Sequence, residues 1–234
     1  GFAQKLRETH RSLGRQGIRT SLSEIAGKLE ALSLAVSLAR PCESLKTACE
    51  TVSVINKVVD DVSKWAKPFT HILEMIGDEM SHFSYANSEE LTAQNLLAQF
   101  ELIKYMLSKK RYMQAVTLAR EWIVSWVLFK KKEKVLRDRG KREEAEKALG
   151  ALAASKRERD KPNVPDWMTA INAELLKKSN FDLGVLWNNI SLLRNDVDHC
   201  GMRKDAFSIN RIVRRAANLS QDLEVLVRDV ESAM

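Results

Sequence analysis

The sequence predicts an all-α protein, a helical bundle of about eight or nine helices. Three observations lead there. The 234 residues include only 9 Gly and 4 Pro, so the residues that tight turns need are scarce. Apolar residues recur at spacings of three and four over most of the chain, the period of helices that bury one face. No stretch alternates apolar and polar residues as a half-buried strand does.

The first helix is expected over residues 3–13, ended near Gly14 and Gly17. Ser21 and Glu24 have capping-box spacing and open a second helix that runs to about Arg40, where Pro41 punctuates it. A third spans about 43–65 with Leu45, Val52, Ile55, Val58, Val59 and Val62 on one broad face. Pro68 sits in the first turn of a fourth, expected to bury Ile72, Leu73, Ile76, Met80 and Phe83. Asn87-Ser88-Glu89-Glu90 then breaks the chain with N-cap chemistry. The boundary falls there, between an N-terminal helical region, 1–86, and a C-terminal helical domain, 87–234.

Two helices follow, over about 88–109 and 112–129. The second half of the latter is apolar nearly all round, which marks a central core helix. Residues 130–159 are densely charged yet helix-favouring. They read as a charged insertion at about 130–160, either a solvated helix or hairpin, or a basic arm that touches nucleic acid. Asp160-Lys161-Pro162-Asn163-Val164-Pro165 is a linker. Pro165 and Asp166 start a helix through Trp167, Ile171, Leu175 and Leu176. Past Asn180 another helix begins near Phe181, with Gly201 placed as its C′ glycine. The last spans 205–232, with Ile209, Ile212, Val213, Leu219, Leu223 and Leu226 inward.

The formal net charge is +7 and the isoelectric point about 9.3, a balance that favours phosphate-rich partners. The three cysteines, Cys42, Cys49 and Cys200, have neither zinc-knuckle nor redox-pair spacing, and a reducing cytoplasm is expected. The most apolar run, 122–129, is too short to span a membrane and ends in three lysines. The chain opens Gly1-Phe2-Ala3 with no signal-peptide layout and reads as a fragment or processed product.

The most chemically specific stretch is Arg194-Asn195-Asp196-Val197-Asp198-His199. It sets a permanent cation and a titratable imidazole within one and a half helical turns. In RNA, an imidazole can take the 2′-hydroxyl proton as that oxygen attacks phosphorus. An imidazolium can protonate the leaving 5′-oxygen. A guanidinium can hold the phosphate oxygens bidentately as charge builds. On a helix, Leu186, Ile190, Leu193 and Val197 share the inward face, while Asn188, Asn195 and His199 share nearly the opposite one. Arg194 lies about 140° round from His199. One helix does not bring the two tips together, whereas two copies facing each other across a two-fold axis would.

The longer string from Leu186-Trp187-Asn188-Asn189-Ile190-Ser191-Leu192-Leu193 through the motif to Cys200-Gly201-Met202-Arg203 resembles the catalytic segment of HEPN ribonucleases. It is most like that of the CARF–HEPN ancillary nucleases of type III CRISPR systems, the Csx and Csm type. Tyr112-Met113-Gln114-Ala115 leading to Leu118-Ala119-Arg120-Glu121 looks like an earlier HEPN core helix. The resemblance implies that Arg194 and His199 are the catalytic pair, with Asn195 as a polar residue that helps orient them. It further implies a homodimer with a composite site and a metal-independent endoribonuclease acting on single-stranded RNA in antiviral defence. It implies control by a cyclic oligoadenylate bound to a CARF domain. The chain carries no strand–glycine–helix pattern for such a domain, so 1–86 reads as the linker side of a missing sensor.

Arg203, Lys204 and Arg211, with Arg214 and Arg215, are candidate RNA-binding residues or else a solvated helix face. Asp196 and Asp198 can orient His199, or repel RNA. Glu121 is a candidate partner for an arginine, Arg194 among them, and Trp187 for stacking a base. The five tryptophans, Trp65, Trp122, Trp126, Trp167 and Trp187, read mainly as core. His71, Glu74, Asp78 and His82 fall on one face of the fourth helix, a pattern that a wet face explains, and no metal or cofactor is expected. Two non-enzymatic readings stand beside the nuclease: a helical protein-interaction module, and an RNA-binding protein without chemistry.

Overall fold

The computed structural model describes residues 1–16, 21–65, 67–155 and 162–234. Gly17, Arg159, Asp160 and Lys161 of the predicted breaks lie outside the described residues, as does the side chain of Trp65. The chain is all-α, with eleven helices among the described residues and one isolated β-bridge, Glu90 to Val135. It divides into two compact units, Gly1–Ser88 and Glu89–Met234.

The first unit holds α1 (Phe2–Arg15), α2 (Leu22–Ser37), α3 (Pro41–Trp65) and α4 (Lys67–Ser81). Successive helices pack on one another. Leu6 and Leu13, Leu22, Ile25 and Ala26, Ile55 and Val62, and Leu73 form one core, and the Phe2 and Phe69 rings meet at 5.7 Å. Ala39 takes a left-handed conformation, φ 51°, so that the Arg40 N–H returns to the Ala35 carbonyl at 2.9 Å and closes α2. Pro41, with no N–H to satisfy, then opens α3.

Two expectations fail in this unit. Ser21 precedes α2 but its side chain makes no capping bond, because ψ of 13° is not the extended conformation from which a hydroxyl reaches the first-turn N–H groups. Ile72 is 40% exposed; α4 turns Leu73, Met80 and the following Phe83 inward instead.

The second unit is built round α6 (Tyr112–Lys130), which buries residues on all sides from Ala115 to Leu128. It packs against α5 (Ala93–Ser108), α7 (Arg139–Ala154), α9 (Leu183–Asp198), α10 (Ile209–Ala217) and α11 (Leu219–Glu231), while α8 (Asp166–Ser179) lies against α7 and α9. Side-chain N-caps start four of these helices. Thr92 holds the Asn95 N–H, Asp138 the Lys141 N–H, Asp182 the Gly184 and Val185 N–H groups, and Ser208 the Arg211 N–H. Each satisfies a donor that the first helical turn leaves open.

The charged stretch after α6 is a loop followed by α7. That helix buries Ala145, Ala148, Leu149 and Leu152, so one face belongs to the unit's core. Its charges are neutralised locally. Arg142 donates to the Ser125 hydroxyl, the Leu136 and Glu121 carbonyls and the Glu121 carboxylate. Lys131 pairs with Glu144 and Lys141 with Glu133. The single last helix expected over 205–232 is two helices meeting at Asn218. Ile209, expected inward, is 78% exposed, because α10 offers the core little beyond Ala216.

A Cβ on Gly184 would meet the Leu152 carbonyl oxygen at 3.1 Å and Leu152 Cγ at 3.2 Å. The small residue therefore sets how closely α9 approaches α7. Gly184→Ala is expected to destabilise the protein by about 1–3 kcal/mol through overpacking against backbone. A urea midpoint equal to that of the parent would refute this.

Candidate functional site

The candidate site grows from α9. Asn180, left-handed at φ 53°, ends α8. Buried Asn172 accepts the Leu183 N–H at 2.9 Å, and Asp182 caps the new helix. Leu183, Leu186, Trp187, Ile190 and Leu193 are buried in a helix that packs on α6 and α7. The outer stripe runs Val185, Asn188, Leu192, Asn195 and His199, a heptad-like spacing. Val185 is 50% and Leu192 40% exposed, the two asparagines are half-buried, and His199 is exposed.

The helix ends at His199, the C-cap, whose N–H reaches the Asn195 carbonyl at 3.1 Å. Cys200, at φ 51°, takes the C′ place expected for Gly201, and Gly201 follows at φ 71°. The two left-handed residues turn the chain so that the Met202 N–H closes on the His199 carbonyl at 2.9 Å. The imidazole thus stands at the tip of a firmly packed helix, clear of its last turn.

Arg194 sits about one and a half turns back. Its Nε forms an ion pair with Asp198 Oδ2 at 2.8 Å, with both side chains about a third exposed (39% and 34%). Asp196 points inward. It is 6% exposed, its Oδ1 accepts the Phe207 N–H at 2.9 Å, and its Oδ2 is buried without a hydrogen-bond partner. Neither aspartate bonds His199 among the described residues, so the expected orienting contact is absent. Asn195 likewise makes no side-chain bond to Arg194 or His199 among the described residues. Asp196 anchors the segment after the helix, and Asp198 holds the arginine.

Glu121 pairs with Arg142 at 2.8 Å and Arg120 at 2.8 Å, not with Arg194. Arg120 also binds Glu146 at 2.9 Å and lies 4.7 Å above the Trp187 ring. Trp187 is 5% exposed, so it ties α9 to α6 and offers no face to a base. The two sequence segments that carry the family likeness therefore meet in the core. No protein-family model, curated protein or solved structure matches this chain.

The basic residues after the motif divide. Arg203 pairs with Asp205 at 3.4 Å, and Lys204 is exposed. The Arg211 guanidinium lies 4.0 Å over the Phe207 ring, joined by Arg215 at 5.1 Å. Arg215 also donates to the Asn189 side chain on α9 at 3.3 Å. Burial, with the neighbouring Arg211 next, pulls the Arg215 guanidinium below its usual range. Burial likewise pushes the Asp222 carboxyl up, against the pull of Arg215. Phe207 and Asn189 joined this constellation without a sequence signal; only the fold brings them together.

In α4, His71 lies 4.0 Å from Glu74, and His82, just past the helix, bonds the Asp78 carbonyl. Among the described residues no group of three or more His, Cys, Asp and Glu gathers as metal ligands would. No helix of the described residues is long and apolar enough to cross a membrane.

Proposed function

We propose that this protein is an endoribonuclease that cleaves single-stranded RNA by attack of the 2′-hydroxyl, without a metal. The observation that carries the reading is the exposed His199 imidazole at the tip of α9, with the part-exposed Arg194 guanidinium about one and a half turns back on the flank of the same helix. His199 would move the protons and Arg194 would hold the phosphate. The products are a 2′,3′-cyclic phosphate and a 5′-hydroxyl. Asn195, on the His199 side of the helix, would act on the substrate rather than through the pair, and Arg203, Lys204 and Arg211 would bind the strand.

Proton removal and proton donation need two groups, and a homodimer supplies them. The outward stripe of Val185, Asn188, Leu192 and Asn195 is the surface along which two copies would pair, bringing two His199 side chains to one cleft. The likeness to the HEPN family supports both the chemistry and the dimer. It also supports a place in CRISPR antiviral defence, with cyclic oligoadenylate acting only through a CARF domain that these residues do not contain. Among the described residues the three cysteines form no disulfide, which suits the cytoplasm, where such RNA is met.

The test is a labelled single-stranded RNA incubated with the protein in EDTA, beside the same strand carrying a single 2′-deoxy position at the mapped cut. Cleavage with a cyclic-phosphate end, blocked at the deoxy position, is expected. An intact RNA, or cutting that ignores the missing hydroxyl, would overturn the reading.

A second reading is a non-catalytic helical interaction module. The exposed Val185 and Leu192 favour it, as does the ion pair that occupies Arg194. Asp198→Asn separates the two. In a nuclease it releases Arg194 toward phosphate, and RNA affinity is expected to rise up to about fivefold, the scale of one exposed ion pair. Unchanged RNA affinity would favour the module.

A further inference from the structure

We propose that Arg215, Arg211 and Asn189, set round the Phe207 ring, form a subsite for a backbone phosphate of single-stranded RNA. The inference rests on the RNA reading above and adds where the strand lies beside the motif. The site is built from α9 outward. Buried Asp196 takes the Phe207 N–H and so fixes that ring beside the helix. Ser208 then caps α10, which sends Arg211 and Arg215 from successive turns onto the same ring, at 4.0 and 5.1 Å. Arg215 reaches on to Asn189 of α9.

Two like charges are thereby gathered round one aromatic ring, an arrangement that costs free energy without a counter-ion. Among the described residues neither guanidinium closes an ion pair with a carboxylate, although Asp222 pulls on Arg215 from farther off. Arg215 Nη1 is moreover buried with no hydrogen-bond partner. A guanidinium offers five N–H donors in a planar fork, and Asn189 takes only one of Arg215's. A phosphate would bind exposed Arg211 and the accessible edge of Arg215, offset the charge of both cations and leave their stacking in place.

The location points to a nucleic-acid strand. Asn189 lies about 80° round α9 from His199 and about 15 Å along its axis, on the opposite flank from Arg194. Exposed Lys204 and Arg214 lie in the same stretch of chain. A single strand running from this subsite toward the helix tip would present a further phosphodiester to His199.

The full chain is tested with a fluorescent 2′-O-methyl oligonucleotide, which has no attacking hydroxyl, by anisotropy over a range of salt. Arg215→Ala and Arg211→Ala are each expected to weaken binding about tenfold. Each should also lower the salt-dependence slope by about one. Arg215→Lys should keep the slope and lose part of the affinity, because it retains charge without the fork. Parental affinity and slope in a folded Arg215→Ala protein would overturn the subsite, as would a parent that does not bind. If Arg215→Ala fails to fold, Arg211→Ala on its own decides by the same two readouts. The nuclease reading fails separately: unmodified RNA left intact while these binding losses appear would sink the chemistry and leave the subsite standing.

Discussion

Replacing His199 with alanine is expected to slow RNA cleavage by about 10²–10⁴-fold, the span associated with one positioned general acid or base. Folding should be spared. The side chain is exposed, it makes no side-chain hydrogen bond among the described residues, and surface changes of this kind fall within about 0.5 kcal/mol. Helix α9 is closed by backbone bonds at His199, Cys200 and Met202, which alanine retains. The loss should appear in kcat more than in KM, since strand binding falls to arginines elsewhere. A parent that needs both the neutral and the charged imidazole has a bell-shaped pH–rate profile, and the variant should lose that shape. An alanine variant that cuts at the parental rate would remove His199 from the chemistry.

Trp122→Ala is expected to lower the unfolding free energy by about 3–5 kcal/mol, the range for deleting a buried aromatic side chain. Trp122 is fully buried at the centre of α6. Its Nε1 donates to the Leu96 carbonyl of α5 at 2.8 Å, and its ring meets Phe100 at 6.1 Å. Deleting it opens a cavity and breaks the tie between two core helices. Typical domains have about 5–15 kcal/mol in all, so the variant should unfold at much lower urea. Trp122→Phe should cost less, and Trp126→Phe less again. Trp126 Nε1 is buried with no hydrogen-bond partner, so phenylalanine there removes an unsatisfied donor. A Trp122→Ala loss under about 1 kcal/mol would mean that α5 and α6 do not share one cooperative core.

Much of the fold was legible because its signals are local. The apolar girth of 122–129 marked α6 as central, and burial of every side from Ala115 onward follows from it. The spacing of four and then three residues from Leu186 to Ile190 to Leu193 identifies the inward face of α9, and all three are buried. The break at Asn218 had no glycine or proline to announce it. Ser21 has capping-box spacing yet does not cap α2, because spacing does not fix ψ.

The sequence by itself determined the helical class, the order of the main helices and the exposed position of His199. Each follows from composition or from a period of three to four residues, which a chain carries within a single helix. Tertiary structure alone decided where the charges go. It turned Asp196 inward to Phe207 and gave Glu121 to Arg142 and Arg120. It covered Trp187 with Arg120 and stacked Arg211 and Arg215 on one ring. The physical reason is range. Burying an apolar face is rewarded by almost any apolar neighbour, so pattern suffices. An ion pair or hydrogen bond needs one partner within a few ångströms and at the right angle, and that partner comes from wherever the packed helices bring it.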